Sequence, residues 1–304
     1  MDIQRRRLDA HWHALYPSSA PIEAHEHFAM DNRGLAYGDG FFTTMAVQAG
    51  LIGWADYHRQ RVQQHAAALS LQVATDALWQ AIKAQAEQMG EGMLKLIITR
   101  APQHARGYGV TPDAQGGAWQ AWLKSMPHTL AHEGYQHLPN GQRVLKQAPC
   151  AAVCLRAQLA CLPAPLAGLK SLNCLDNVLA CAELERIKAT DSRIGEALVS
   201  DVSGQWVEGS ASNVFYQLQH HDAEQAEQWY TPPLTQSGVA GVMRQVIIDG
   251  YAKSAQPISM RALHDDDLPN LRALFFCNAV KGIIPISALH LRGGDVLGLA
   301  SAAL

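Results

Sequence analysis

Hydrophobic positions along this chain recur with two periods, and the segments that carry them alternate. Leu175, Val178, Leu179 and Ala182 stand at i, i+3, i+4 and i+7 and predict an amphipathic helix over 174–189. Residues 57–68 predict a second helix, which Asp56 can cap, and 76–89 a third that stops at Gly90. A fourth begins after Gly241, with Val242, Val246 and Ile247 on one side. Strand-like composition occupies 94–99, 119–126, 213–218 and 273–277, and 196–200 with 205–208 reads as a hairpin turned at Ser203-Gly204. Asp31-Asn32-Arg33-Gly34 reads as a turn leading into a β-like run through Val47, where Gly38 and Gly40 let the backbone bend tightly. Residues 1–30 are weakly periodic and predict no element. The sum is an α/β (mixed α+β) chain. The polar stretch 128–141 is its best linker, so a boundary is placed near Pro127. It separates a smaller domain, residues 1–127, from a larger one, 128–304.

Composition narrows the classes of function. With 304 residues, 48% hydrophobic and 17% charged, the chain has ample core material and is not a disordered one. A net charge of -3 gives no electrostatic case for a nucleic-acid partner or an anionic membrane surface. Residues 1–12 are rich in Arg and Asp and lack the apolar core of a secretory signal, and no later segment reads as a membrane span. The expectation is a cytoplasmic protein. Six cysteines, at 150, 154, 161, 174, 181 and 277, show no C-x-x-C spacing and predict no disulfide framework. The 14 histidines scatter, and His220-His221-Asp222 and His264-Asp265-Asp266-Asp267 lie in polar, loop-like stretches. No metal site is expected.

The candidate chemistry begins at Gly168-Leu169-Lys170-Ser171-Leu172-Asn173, just ahead of the 174–189 helix. Taken alone, Lys170 reads as an ordinary lysine at a helix start, and Arg61, three residues from His58, as a surface charge. Other residues change the picture. Glu208 ends the second strand of the hairpin. Small residues at 238–241 precede a helix, a place that suits an anion such as phosphate. Asn278-Ala279 follows a buried-looking strand. A lysine amine, a carboxylate, an arginine and helix-start amides are what a pyridoxal phosphate enzyme needs. The lysine forms an imine, the carboxylate keeps the pyridine nitrogen protonated, and the last two hold the phosphate.

The ordered set of motifs resembles the fold-type IV pyridoxal phosphate enzymes. These are the branched-chain and D-amino acid aminotransferases and the 4-amino-4-deoxychorismate lyases. The likeness runs from about Asp31 to Ile286: Tyr37-Gly38-Asp39-Gly40, His58-x-x-Arg61, Lys170-Ser171-Leu172-Asn173, Glu208 with Asn213-Val214-Phe215, Gly238-Val239-x-Gly241-x-Met243-Arg244, and Asn278-Ala279. The resemblance implies two domains with the site at their interface, a homodimer and a small-molecule substrate. By position it makes Lys170 the catalytic, cofactor-bearing lysine, Glu208 the partner of the ring nitrogen and Arg61 the phosphate arginine. Val239 and Ala240 would offer backbone N–H groups to the phosphate, Asn278 and Ala279 would complete its cradle, and Ser212 and Asn213 would flank the ring. Within the family, Phe42-Thr43-Thr44 is similar to the lyase pattern, whereas the aminotransferases commonly carry glutamate where Thr44 stands. That favours splitting of 4-amino-4-deoxychorismate into 4-aminobenzoate and pyruvate over transamination. A silent relative acting as a binding protein is disfavoured, since Lys170 and Glu208 are both present. Arg106, Tyr108 and Thr44 are the candidates for contact with substrate.

Overall fold

The computed structural model describes residues 11–16, 31–112, 114–127, 129, 131–219 and 228–300. Most of the weakly periodic residues 1–30, and the His220-His221-Asp222 stretch, lie outside the described residues. Packing divides the chain into unit 1, Met1–Leu130 with Leu169–Asn173, and unit 2, Ala131–Gly168 with Cys174–Leu304. Lys170 therefore packs with unit 1, although chain position alone puts it in the C-terminal part.

Among its described residues, unit 1 contains β1 (His11–Tyr16), α1 (Arg33–Tyr37), β2 (Gly40–Gln48), β3 (Leu51–Ile52), α2 (Ala55–Ala68), α3 (Thr75–Met89), β4 (Gly92–Arg100) and β5 (Trp119–Pro127). The five strands form an antiparallel sheet in the order β1-β5-β4-β2-β3. Alternation along each strand sorts the faces: Leu94, Leu96 and Ile98 of β4 are buried, and Lys95 and Ile97 between them are half-buried. The buried face packs against α2 and α3 through Val62, Ala66, Leu78, Trp79 and Ile82. Two local expectations change here. Asn32 is not part of a turn but caps α1, its side chain accepting the Leu35 N–H, and the helix closes on Gly38. A five-residue helix is too short for hydrophobic periodicity to register. Asp56 is not the cap of α2 either; Trp54 holds that position, and Asp56 lies in the first turn, where a negative charge complements the helix dipole.

Among its described residues, unit 2 contains β6 (Gly134–His137), β7 (Arg143–Lys146), β8 (Cys150–Leu159), α4 (Leu175–Lys188), β9 (Ile194–Asp201), β10 (Trp206–Gly209), β11 (Asn213–Leu218) and β12 (Tyr230–Thr231). It continues with α5 (Val242–Tyr251), β13 (Ser259–Met260), β14 (Leu271–Asn278), β15 (Gly282–His290) and β16 (Val296–Gly298). The strands join into a mixed sheet along β13-β12-β11-β10-β9-β8-β15-β7-β6, with β14 between β11 and β15 and with β16 beside β15. β8 runs parallel to β9 and β15, while β9, β10 and β11 form antiparallel pairs. Strand β9 is buried almost throughout because both of its faces are covered. Leu155, Ala180, Leu184 and Val199 pack on one side, and Leu198, Trp206, Val214 and Phe276 on the other.

The stretch read as a linker holds β6, paired antiparallel with β7. Its polar composition reflects an alternately exposed strand, not an absence of structure. The helix expected from Leu175, Val178, Leu179 and Ala182 exists, but it buries Ala180 and Leu184 instead. Leu175, Val178 and Leu179 are 79%, 54% and 65% exposed. Spacing reveals an apolar stripe without saying what covers it. The fold is mixed α+β. No helix among the described residues is long and apolar enough to cross a membrane.

The corner between α1 and β2 is held by charge. Asp39 Oδ2 accepts from Arg33 Nε at 2.8 Å and from Arg100 Nε at 2.9 Å. Arg33 also donates to the carbonyls of Gly107 and Tyr108, and Arg100 to those of Leu69 and Gly116. Removing Asp39 strands two buried arginines, at a cost of about 3 kcal/mol. Asp39→Ala should therefore lower the stability of unit 1 by about that amount in urea unfolding followed by tryptophan fluorescence. A loss below about 1 kcal/mol, the range of exposed pairs, would contradict the role given to Asp39.

Candidate active site

The lysine segment of unit 1 is an added piece of sheet. Phe42 N–H donates to Lys170 O at 3.0 Å and Leu172 N–H to Gly40 O at 3.0 Å, bracketing an antiparallel bridge between Phe41 and Ser171. Gly40 permits this close approach, since a Cβ there would lie 2.3 Å from Ile98 O and 3.0 Å from Leu172 Cδ1. The Lys170 amine stands 4.7 Å from the centroid of the Phe42 ring, a cation–π distance, and the Lys95 amine stands 4.7 Å from the same ring. Thr44 shares that face of β2 and is paired in register with Lys95.

Helix α2 supplies the next layer. It places His58, Arg61 and His65, all buried, on one side at i, i+3 and i+7. Arg61 Nη1 donates to Thr43 Oγ1 at 3.5 Å, and that hydroxyl lies 2.8 Å from His58 Nδ1. His65 Nε2 accepts the main-chain N–H of Lys170 at 2.9 Å, and its ring meets Phe41 edge-on at 5.4 Å. Burial, reinforced by the Arg61 charge, pushes both histidines down to about 3, with Lys170 adding to the effect at His65. Burial lowers Arg61 to about 10. At neutral pH the imidazoles are uncharged and the guanidinium is a cation. His58 Nε2 and His65 Nδ1 have no hydrogen-bond partner among the described residues. Neither Thr43 nor His65 stands out in the sequence by residue type. The helical period was the available signal for His65, which lies four residues beyond Arg61.

Unit 2 holds Glu208, 3% exposed, at the centre of a second cluster. Glu208 and Asn213 are register partners on β10 and β11. Glu208 Oε2 accepts the Val239 N–H at 2.8 Å and Asn213 Nδ2 at 3.2 Å, while the same amide nitrogen reaches Val239 O at 2.8 Å. At Gly241 a Cβ would stand 1.8 Å from Asn213 Oδ1, so the turn lies on Asn213 more closely than any other residue permits. Val239 N–H is given to Glu208, and Ala240 N–H donates to Gly168 O at 2.9 Å. Ser212 serves its own turn: its Oγ donates to Glu196 Oε2 at 2.7 Å, beside Ser210 Oγ on Oε1 at 3.0 Å. Asn278 Oδ1 accepts from Val280 and Lys281, which shapes the turn holding Ala279.

Arg106 and Tyr108 sit in an exposed loop of unit 1. Tyr108 is 83% exposed, and its ring lies 5.1 Å from that of Tyr37. The carbonyls of Gly107 and Tyr108 anchor the loop on Arg33. The residues present suit pyridoxal phosphate: an amine at Lys170, a buried acceptor at Glu208, and a buried guanidinium at Arg61. The turn against Glu208 is as tight as the cluster suggests, because a Cβ on Gly238 would come within 3.1 Å of Glu208 Oε2.

The model of a family described as amino-transferase class IV matches residues 40–289. A crystal structure of 4-amino-4-deoxychorismate lyase from Pseudomonas aeruginosa is similar at a TM-score of 0.74 and 32% identity, covering 91% of each chain. An aminodeoxychorismate lyase of Vibrio harveyi is 26% identical over 270 residues, 86% of this chain and 88% of the relative. A D-alanine aminotransferase of Bacillus licheniformis is 25% identical over 279 residues, 88% and 84% of the two chains.

The depressed histidines set a pH dependence. Between the ordinary value of 6.5 and about 3, the unfolded chain binds protons at His58 and His65 that the folded chain does not. Stability from these groups is complete above pH 6.5 and is lost as pH falls, by roughly 1 kcal/mol per pH unit for each histidine. Urea unfolding at pH 7, 6 and 5 should show this decline, and His58→Asn should flatten it. An unchanged slope in the variant would mean that His58 titrates normally.

Proposed function

The chain belongs to the amino-transferase class IV family, and on that premise we propose that it is a pyridoxal phosphate-dependent lyase converting 4-amino-4-deoxychorismate to 4-aminobenzoate and pyruvate. The observation that carries the reading is Thr44. It lies on the β2 face that also bears Phe42, the ring over which the Lys170 amine stands. A neutral hydroxyl occupies the place where the aminotransferases resembled by this chain commonly carry a carboxylate. The likeness to lyases of two bacteria supports the same reading.

Bound pyridoxal phosphate supplies an electron sink for the amine-bearing carbon of the substrate. Lys170 would hold the cofactor through its amine. The Lys170 amine would also take the proton from C4 of the substrate, a general-base role that depends on being held close. Glu208, oriented by Val239 N–H and Asn213, would keep the ring nitrogen protonated, and Ser212 would be among the residues holding the ring. Arg61 would give the phosphate a charge-assisted bond, and Ala240, Asn278 and Ala279 would help to hold it. Breaking the C3–O bond makes the substrate ring aromatic and releases enolpyruvate, which becomes pyruvate. Arg106 and Tyr108 are assigned to the substrate carboxylates. The protein is assigned as a cytoplasmic homodimer, in which a second copy covers the exposed stripe of Leu175, Val178 and Leu179.

Likeness to the D-alanine aminotransferase supports transamination as the second reading. The two differ in stoichiometry. Supplied with 4-amino-4-deoxychorismate and no keto acid, the protein should release many equivalents of 4-aminobenzoate and pyruvate per chain. Sustained turnover only with D-alanine or L-leucine plus 2-oxoglutarate would overturn the lyase reading. Lys170→Ala should remove the visible absorbance of the bound cofactor while the protein stays folded. If the band survived, Lys95, whose amine reaches the same Phe42 ring, would be the next candidate. Glu208→Gln should keep the cofactor but lose turnover about a hundredfold, the scale of a lost electrostatic contribution at the reacting group. Wild-type turnover in that variant would remove Glu208 from its role.

A further inference from the structure

We propose that His65 is the positioning residue for the lysine. Its Nε2 holds the main-chain amide of Lys170, and its place one turn beyond Arg61 on α2 ties the lysine to the phosphate-binding guanidinium. The inference rests on the reading of Lys170 and Arg61 above and goes beyond it to a residue with no part in that assignment.

The geometry is explicit. The Lys170 main chain is held on both sides of its Cα, its carbonyl by Phe42 N–H at 3.0 Å and its N–H by His65 Nε2 at 2.9 Å. A lysine amine at the end of four rotatable bonds is only as well placed as its own Cα. The two-bond ladder with β2 sets that Cα from one side, and His65 sets it from the other. A backbone N–H donates only to a lone pair, so Nε2 is the unprotonated nitrogen and the ring proton lies on Nδ1. That excludes His65 as the proton-transfer base, because its basic nitrogen is already occupied. His65 lies four positions beyond Arg61 on the helix, a rise of about 6 Å along the axis. The helix thus acts as a rigid spacer between a phosphate grip and the lysine main chain. The ring is held in turn by its edge-on contact with Phe41, the residue bridged to Ser171.

The test combines two variants with a measurement on the unaltered protein. His65→Leu removes the acceptor, and His65→Gln restores one on a side chain of similar reach. In the leucine variant, hydrogen exchange at the Lys170 amide should accelerate about tenfold, the scale of one lost hydrogen bond. The visible band that forms when pyridoxal phosphate is added to cofactor-free protein should appear about tenfold more slowly. Both should recover toward wild type in His65→Gln. Wild-type exchange and band formation in a folded His65→Leu protein would overturn the proposal, as would equal defects in both variants. If the leucine variant does not fold, nitrogen-15 imidazole spectra of the wild type at pH 7 still decide. A proton on Nδ1 supports the arrangement, and a proton on Nε2 overturns it. Borohydride trapping followed by peptide mapping keeps the two readings apart. An adduct on a lysine other than Lys170 defeats the assignment of the lysine. An adduct on Lys170 with unaltered exchange in His65→Leu defeats only the role of His65.

Discussion

Two main-chain hydrogen bonds, Phe42 N–H to Lys170 O and Leu172 N–H to Gly40 O, are the constraint on which the arrangement in unit 1 depends. They recruit a short segment, Leu169–Asn173, whose chain neighbours on both sides belong to unit 2, and make it part of the first unit's packing. Without them the lysine would be an ordinary residue ahead of a helix. With them its amine lies over Phe42, and its amide falls within reach of α2. The ladder can form because Gly40 lacks a side chain where Ile98 O and Leu172 need the space.

In both units, buried or half-buried carboxylates hold the loops near the candidate residues. Asp39 gathers Arg33 and Arg100, and Arg33 in turn holds the carbonyls of the loop that carries Arg106 and Tyr108. In unit 2, Glu196 takes the hydroxyls of Ser210 and Ser212, fixing the turn between β10 and β11. Asp201 binds Ser203 through Oδ1 and Ser237 through Oδ2. Burial pushes the Asp201 carboxyl up, but the bonds from Ser203 and Ser237 outweigh it and leave it below the ordinary range. Ser237 immediately precedes the Gly238–Gly241 turn, which closes on Glu208 and Asn213. Each carboxylate accepts from side chains or amides far away in sequence, so one acidic residue organises a loop that has no core of its own.

The elements legible in the sequence were those with a local cause. α3 stops at Gly90, and the hairpin of β9 and β10 turns at Ser203-Gly204, because turn chemistry and period are written in adjacent residues. β6 was hidden since its exposed half is polar, and α1 because five residues are fewer than two turns. The buried face of α4 was misread for a different reason: Ala180 packs by being small, whereas the larger Leu175 and Leu179 stay exposed. Among the candidate site residues, motif order identified which ones to examine but not what their atoms do. The Val239 and Ala240 amides donate to Glu208 and Gly168, partners that motif order does not name. Contacts between residues distant in sequence, such as His65 with Lys170, leave no periodic trace.

The charge state of α2 and its geometry are one constraint. Three nitrogen-bearing side chains share a buried face, and if all were cationic their mutual repulsion in a poorly solvated interior would oppose folding. Desolvation removes the charge from the imidazoles first, since histidine's ordinary value lies far below that of arginine. Arg61 therefore keeps its proton while His58 and His65 lose theirs. Neutrality is also what makes each histidine useful, because only an unprotonated ring nitrogen can accept. His65 can take the Lys170 N–H only as the neutral ring. At His58, the Thr43 hydroxyl can receive from Arg61 and pass its own proton toward Nδ1. A lysine or arginine in place of either histidine would offer donors where acceptors are needed and would add a second charge beside Arg61. The same burial that suppresses two charges thus leaves Arg61 as the cation of this buried face, and supplies the acceptor that holds the Lys170 amide.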